Sequence, residues 1–379
     1  MKTTGTGPEA GVPAKDWLRS WAMILATGLV LASAVPAHAA PRGRWVVTGD
    51  MLLLREAAAA TLVRDGRVLV SGGSNGTDAD QAEVYDPATR TFSSTGDMSH
   101  RRLEHTSNLL PDGRILVAGG WDNSGFQTNE TAEVWDPESG AWTDVDSMRR
   151  PRVSHTATTL LDGRVLVTGG NNLPNGDRTE LAEIYDPSTE AWTNTGSMTT
   201  PRDQHTATLL PDGRVLVTGG EDDEDPVASA EIYDPATGEW TATQPMSVPR
   251  ADHRAVLLPD GTVLVAGGRS QTGHPTLTEI FDPSVEQWTS GGDMSYKRSS
   301  PTLTLLKDGT VLVAGGFDGF VGLATAELFD PVSIQWRRAP TMHRGRWRYT
   351  ATLLRNGMVL VEGGLGTAGP DAELFIPSR

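Results

Sequence analysis

The sequence predicts an all-β fold, a seven-bladed β-propeller of four-stranded blades in which an N-terminal strand completes the last blade. Three observations carry this expectation. A Gly-Gly pair recurs at one repeat position seven times in 379 residues, beginning at Gly72, Gly119, Gly169, Gly219, Gly267, Gly315 and Gly363, with spacings of 47, 50, 50, 48, 48 and 48. A period near fifty is that of a propeller with one four-stranded blade per repeat. Within each repeat the offsets are fixed: an aromatic, a Met six residues on, an Arg four further, and the Gly pair seventeen after that. Finally, the last repeat stops at Glu373–Arg379 before its aromatic strand, while a surplus aromatic strand around Trp45 precedes the first.

In chain order, residues 1–39 read as a cleaved signal peptide. Lys15 and Arg19 precede an apolar run from Trp21 to Val35, and Ala37-His38-Ala39 supplies an Ala-x-Ala cleavage site. The run is shorter than the ~20 apolar residues of a membrane span. The expectation is an exported chain, secreted or periplasmic, with no transmembrane anchor after cleavage and with residues 40–379 as the propeller. Arg44-Trp45-Val46-Val47-Thr48 then supplies the surplus strand.

The fourth repeat shows how the later elements follow. His205-Thr-Ala-Thr-Leu-Leu210 alternates as a strand, and Asp212-Gly213 marks a tight hairpin. Arg214-Val-Leu-Val-Thr218 is a short apolar run, as suits a strand covered on both faces by neighbouring blades. Gly219-Gly220 ends it, and a variable loop leads to Ala230-Glu231-Ile232-Tyr233, the third strand. Asp234-Pro235 turns the chain, since Pro presets φ for the bend. Trp240 starts the fourth strand and Met246 closes the unit.

These features resemble the kelch repeat: the Gly pair, the aromatic of Glu-x-Tyr-Asp-Pro, the spaced Trp, and Pro-Arg-x-x-His. The resemblance spans about residues 44–377 and implies a β-propeller; exported bacterial members often have no assigned activity. It also brings two enzyme types to mind. Copper-radical oxidases of the galactose oxidase type need a Tyr crosslinked to Cys, and this chain has no Cys. Exported sugar epimerases acting on sialic acid are the second type, with Arg at the mouth to recognise an acid.

Composition narrows the partners. Forty-eight acids against 32 bases, a net charge of −16, argue against nucleic acid, whose binding needs clustered cations. The absence of Cys excludes disulfides and thiolate chemistry. Seven third-strand Glu match seven Arg in number, which predicts a repeated structural ion pair or an Arg-to-backbone clamp. His105, His155, His205 and His253 share one repeat position; they are read as structural, with a partial imidazole ring at the channel mouth as the functional alternative.

Alternation places the variable second-to-third-strand loops on the face that carries the Arg-x-x-His connections. Binding residues favour loops on a rigid scaffold, so that diverse face is the candidate surface. Its candidates are Trp121, Asp122 and Phe126 in blade two, Phe317, Asp318 and Phe320 in blade six, and Arg202, Arg250, His205 and His253 at the mouth. Glu221, Asp222, Asp223, Glu224 and Asp225 form a weak Ca²⁺ candidate, without the Gly-punctuated ligand spacing of a calcium loop. The functional expectation is a non-catalytic monomer that binds a glycan or protein and needs no cofactor. The alternative is an epimerase-like carbohydrate enzyme with Arg and His at the channel mouth.

Overall fold

Each repeat folds as an antiparallel four-stranded sheet in a computed structural model. The structure describes residues 43–378 apart from 75, 77, 78, 174, 175, 367, 368 and 370. The segment 1–39, read above as a signal peptide, lies outside the described residues. Among those residues no helix is long and apolar enough to cross a membrane.

In blade one the strands Ala59–Leu62, Val68–Ser71, Ala82–Asp86 and Thr91–Ser94 pair in that order. Blades two to six repeat the pattern. Blade seven takes Thr350–Leu353, Val359–Glu362 and Ala372–Ile376 from the C-terminal end, then Arg44–Val47 from the N-terminal end. Arg44 faces Ile376 and Trp45 faces Phe375, with the two rings 5.1 Å apart. The borrowed strand therefore closes the ring as the sequence predicted.

The first strands of successive blades neighbour one another all the way round, the last against the first. They are the innermost, and their side chains are only half-buried. Second strands such as Val215–Thr218 are wholly buried, because each sheet is packed between two others. The core accordingly lies between blades. One cluster joins Leu116, Val134 and Met148 of blade two to Val165, Tyr185 and Trp192 of blade three. Six tryptophans at the fixed offset also bridge blades through Nε1, donating to a carbonyl of the preceding blade at 2.6–3.0 Å.

The Gly pair is required by close approach. At Gly219, with φ of +58°, a Cβ would stand 2.5 Å from the Arg250 carbonyl oxygen and 2.7 Å from the His253 ring. At Gly220, with φ of +97°, it would stand 2.6 Å from the Asp203 carbonyl oxygen. No side chain fits either place without moving the next blade at Gly219 or the entry of its own blade at Gly220.

Candidate functional site: the channel mouth

The Arg of every repeat is buried and builds the scaffold. Arg55, Arg102, Arg152, Arg202, Arg250, Arg298 and Arg346 pair with Glu83, Glu133, Glu183, Glu231, Glu279, Glu327 and Glu373 at 2.5–3.1 Å. Each Arg Nη1 also donates to the carbonyl of the first glycine seventeen residues on, at 2.6–3.1 Å. The other carboxylate oxygen accepts from the backbone N–H that follows the fixed-offset Met, at 2.6–2.8 Å. Each clamp thus ties the second and third strands to the connection entering the blade, which is why the offset of seventeen does not vary. The expectation that Arg202 and Arg250 bind a ligand is corrected here: both are fully buried, and their donors are taken by these partners.

The histidines are corrected for the same reason. His205 and His253 are buried, and their Nε2 atoms lie 2.9–3.1 Å from the hydroxyls of Thr156, Thr168, Thr206 and Thr218. Burial first, and the adjacent clamp arginines second, hold all four imidazoles well below the ordinary histidine range, to about 3 for His105 and His155. They are neutral wedges between blades.

What faces the mouth is the second residue after each Arg. Ala57, Glu104, Ser154, Gln204, Asp252, Ser300 and Arg348 all adopt left-handed backbone, with φ from 45° to 55°, a conformation non-glycine residues hold only under constraint. The constraint is a chain of six backbone bonds of 2.8–3.3 Å that runs from blade to blade, each N–H donating to the preceding carbonyl and Ala57 donating to Arg348. All seven residues line one cavity of about 450 Å³ at the centre of the ring. The signal was present in the sequence. Within Arg-x-x-His the two x positions change from blade to blade while the Arg does not.

The residue just before each of these bridges to the variable loop, as in Leu103 with Trp121, Asp203 with Glu221, Ser299 with Phe317 and Trp347 with Leu365. The predicted shared face is therefore real, and it is charged. Arg348 lies 3.2 Å from Glu104 and 4.0 Å from Glu56. Burial and the neighbouring Glu104 push the Glu56 carboxyl up, against the lowering pull of Arg348. Arg178 reaches Asp203 at 2.9 Å and Glu221 at 3.4 Å. Arg269 holds Asp252 at 3.0 Å and also contacts Glu221.

The candidate aromatics fall into two separate patches. In blade two, Trp121 meets Phe126 edge-on at 6.5 Å, and Phe126 is 72% exposed. Between blades five and seven, Phe317 lies 5.0 Å from Trp347 with the rings tilted by 35°, and His274 stands edge-on to it at 6.5 Å. Phe320 projects beside them, 89% exposed. Trp347, which neighbours the mouth residue Arg348, was not singled out from the sequence. Asp122 and Asp318 turn inward on their own loops: Asp122 accepts from the backbone of Ser124 and Gly125, and Asp318 from that of Phe320 and Val321.

The five acids of blade four do not converge. Glu221 is turned to Arg178 and Arg269, and Asp222 accepts from the backbone of Glu224 and Asp225 at 2.9 Å. Among the described residues, one group of at least three His and carboxylate ligands gathers within 4.8 Å, namely His100, Glu133 and Asp144. Glu133 there already belongs to the Arg102 clamp.

Fold and clamp together define a kelch-type propeller. The KLHDC2/KLHL20/DRC7 Kelch-repeats domain family matches residues 104–316 and 154–364, and the Kelch motif matches residues 57–99. The chain belongs to the kelch-repeat family. No curated protein matches it. Among solved structures it is similar to a "novel fungal alcohol oxidase with catalytic diversity among the AA5 family, in complex with copper", at 21% identity and a TM-score of 0.73, over 88% of this chain and 76% of that one. It is also similar to YjhT, at 16% identity and a TM-score of 0.62, over 77% of this chain and 99% of that one. At these identities the likeness is one of fold. A copper-radical site built on a Cys–Tyr crosslink does not fit the residues present, since the chain has no Cys, and the four histidines of the repeat sit on separate blades, buried among their own hydroxyl partners.

Proposed function

We propose that the chain is an exported, non-catalytic propeller that binds a glycan at the rim of its channel mouth. The supporting observation is the step formed by Phe317 and Trp347, two half-buried rings 5.0 Å apart. It stands next to a cavity lined by hydroxyl, amide, carboxylate and guanidinium groups. A sugar ring presents an apolar face to such a step and hydroxyls to such a lining. The rigid backbone ring keeps the site preformed, which limits the ordering cost of binding.

A glycan array followed by mass spectrometry of the bound sugar tests this reading. Wild-type protein should retain an unchanged glycan, and Trp347→Ala or Phe317→Ala should abolish retention, while Phe126→Ala in the remote patch should not. Retention that survives both rim substitutions defeats the reading, as does capture of a protein but of no sugar.

One observation favours a second reading, the epimerase-like enzyme. Glu56 and Glu104 share Arg348 at the mouth, and Glu56 is pushed up while Glu104 keeps its cationic partner. Two carboxylates in unlike environments are the raw material of acid–base chemistry. Conversion of the bound sugar, lost in Glu56→Gln, would establish this reading over the first.

A further inference from the structure

The face opposite the mouth is built from two turns per blade, one between the first and second strands and one between the third and fourth. In blade six Leu305 faces Val311, Val311 faces Phe329 and Phe329 faces Trp336, so the two turns lie side by side at one end of the sheet. Each turn carries a repeated Asp. Asp65, Asp112, Asp162, Asp212, Asp260 and Asp308 accept the N–H two residues on in the first turn. Asp86, Asp136, Asp186, Asp234, Asp282 and Asp330 do the same in the second. Blade seven lacks both carboxylates. Asn356 accepts from the Met358 N–H at 3.0 Å, which keeps the turn without the charge, and Ile376 stands at the second place.

Where the acids stop, cations and exposed apolar side chains begin. The residue before the first-turn Asp or Asn is Lys307 in blade six, Arg355 in blade seven and Arg64 in blade one, three neighbours across the seam; the other four blades carry Pro or Leu there. All three cations are exposed. Each donates to a carbonyl of the next blade, Lys307 to Arg355, Arg355 to Arg64 and Arg64 to Pro111, and none forms an ion pair among the described residues. The acids of blades six and one are engaged: Asp308 accepts from the Thr310 hydroxyl at 2.6 Å, Asp330 lies 3.5 Å from Arg337, and Asp65 lies 2.7 Å from Arg67. In the second turn of blade six Val332 is 93% exposed, where the other blades carry Ala, Glu or Ser. Ile334, also exposed, has left-handed backbone with φ of 53°, at a position where two blades use Gly. A β-branched residue holds that conformation at a cost, and an exposed one recovers little of it by packing. Lys307, Asn356, Met358, Ile376 and Pro377 border a cleft of about 400 Å³ between blades six and seven.

We infer that this sector docks the propeller on a lipid surface with anionic headgroups. The departures from the repeat all run one way: carboxylates leave, cations arrive, and apolar side chains stand in water. Cations close to an anionic leaflet are drawn to it, and apolar side chains beside them enter the boundary between headgroups and acyl chains. A neutral bilayer would leave the three cations without partners. A soluble polyanion would occupy the cations but leave Val332 and Ile334 in water, so the apolar pair selects the lipid. The rest of this face keeps its aspartates, and the chain carries −16 overall. Contact is therefore confined to blades six, seven and one, with repulsion from more distant acids screened over about 8 Å at physiological salt. Docking by this face leaves the channel mouth turned to solution, and the inference stands apart from any ligand bound there.

The chain has no Cys, so Val332→Cys in the full chain takes a polarity-sensitive fluorophore at one place. Titrated with vesicles of mixed phosphatidylglycerol and phosphatidylcholine in about 0.1 M salt, that label should brighten and shift to the blue. A label at Phe126→Cys on the mouth face should not respond, and vesicles of phosphatidylcholine alone should move neither. Lys307→Gln and Arg355→Gln should each raise the lipid concentration at half-saturation about fivefold. Ile334→Gly, which installs the residue that two other blades carry, relieves the backbone and should still weaken binding, so it reports on the patch if a charge variant does not fold. A silent label at Val332→Cys, an equal response at Phe126→Cys, an equal response to phosphatidylcholine alone, or unaltered binding in the folded variants overturns the proposal. So does a response to heparin without one to vesicles, which would assign the cations to a soluble polyanion.

Discussion

Glu362 is the sharpest single-residue departure from the repeat. Ser71, Ala118, Thr168, Thr218, Ala266 and Ala314 end the second strand in the other blades. Several of them pair with the ring of the next blade, as Ser71 does with His105 and Thr218 with His253. By that relation the counterpart of Glu362 is Ala58, whose methyl leaves room for a longer side chain. Glu362 is buried, accepts one bond from the Thr350 hydroxyl at 2.6 Å, and leaves Oε2 without a partner. Burial pushes its pKa up to about 8 from an ordinary 4.5. The sign follows: the stability this group contributes is complete below pH 4.5 and is lost as pH rises through about 8. Glu362→Gln, close in shape to the protonated acid, should raise unfolding free energy at pH 8 by roughly 3–5 kcal/mol and change little at pH 4. Urea denaturation at the two pH values checks this, and an equal difference at both would refute it. The four buried histidines act with the opposite sign. Their pKa values are depressed, so their contribution is complete above pH 6.5 and is lost as pH falls toward about 3. Unfolding should therefore take up three to four protons around pH 5, a slope of about 4–5 kcal/mol per pH unit. A slope below one proton in the same titration would show the imidazoles to be hydrated.

At the scale of the strand and its connections, the clamp decides geometry more than it adds stability. Replacing one partner strands the other's charge: Arg202→Ala leaves Glu231 buried beside a donor that is gone, and should cost about 3–5 kcal/mol in chemical denaturation. Arg202→Met with Glu231→Leu should recover much of that loss, since a buried ion pair is often replaceable by apolar volume. If the double variant is no more stable than the single, the carboxylate's bond to the Thr199 backbone, at 2.7 Å, carries the energy instead. The same distinction explains what the sequence disclosed. Strands, hairpins, clamp partners and the shared face were legible because seven copies repeat them. The mouth was legible only as positions that vary from repeat to repeat, not as a cluster of particular residues. Glu104, Trp347 and Arg348 each occur once at their position and come together only through ring closure, which joins residues nearly 300 apart in the chain, as when Ala57 N–H donates to the Arg348 carbonyl. Arg202 and His205 misled for the converse reason, because chemically versatile residues served packing in one copy after another.

For the molecule as a whole, everything at the mouth depends on one borrowed strand. With no Cys in the chain, closure rests on the ladder from Arg44–Ile376 to Val47–Glu373, on Trp45 Nε1 donating to the Pro340 carbonyl at 2.8 Å, and on apolar contacts. Trp45 packs with Phe375 and Met342, and Met51 with Val68 and Leu374. Removal of residues 44–51 would bare Ala372–Ile376 as an unpaired edge next to exposed apolar surface, the arrangement that drives strand-to-strand aggregation. It would also disturb the Leu52 side of the first clamp, whose backbone N–H meets Glu83 at 2.6 Å, so damage would reach both blades at the seam. The truncated chain should precipitate or melt without a cooperative transition, and a synthetic peptide covering 44–51 should restore a cooperative melt in a concentration-dependent way, because binding to the folded ring stabilises it by mass action. Trp45→Ala in the intact chain should cost about 3–5 kcal/mol. A truncation that stays soluble and melts cooperatively on its own would mean that six complete blades hold the ring, and the mouth with it, without the closing strand.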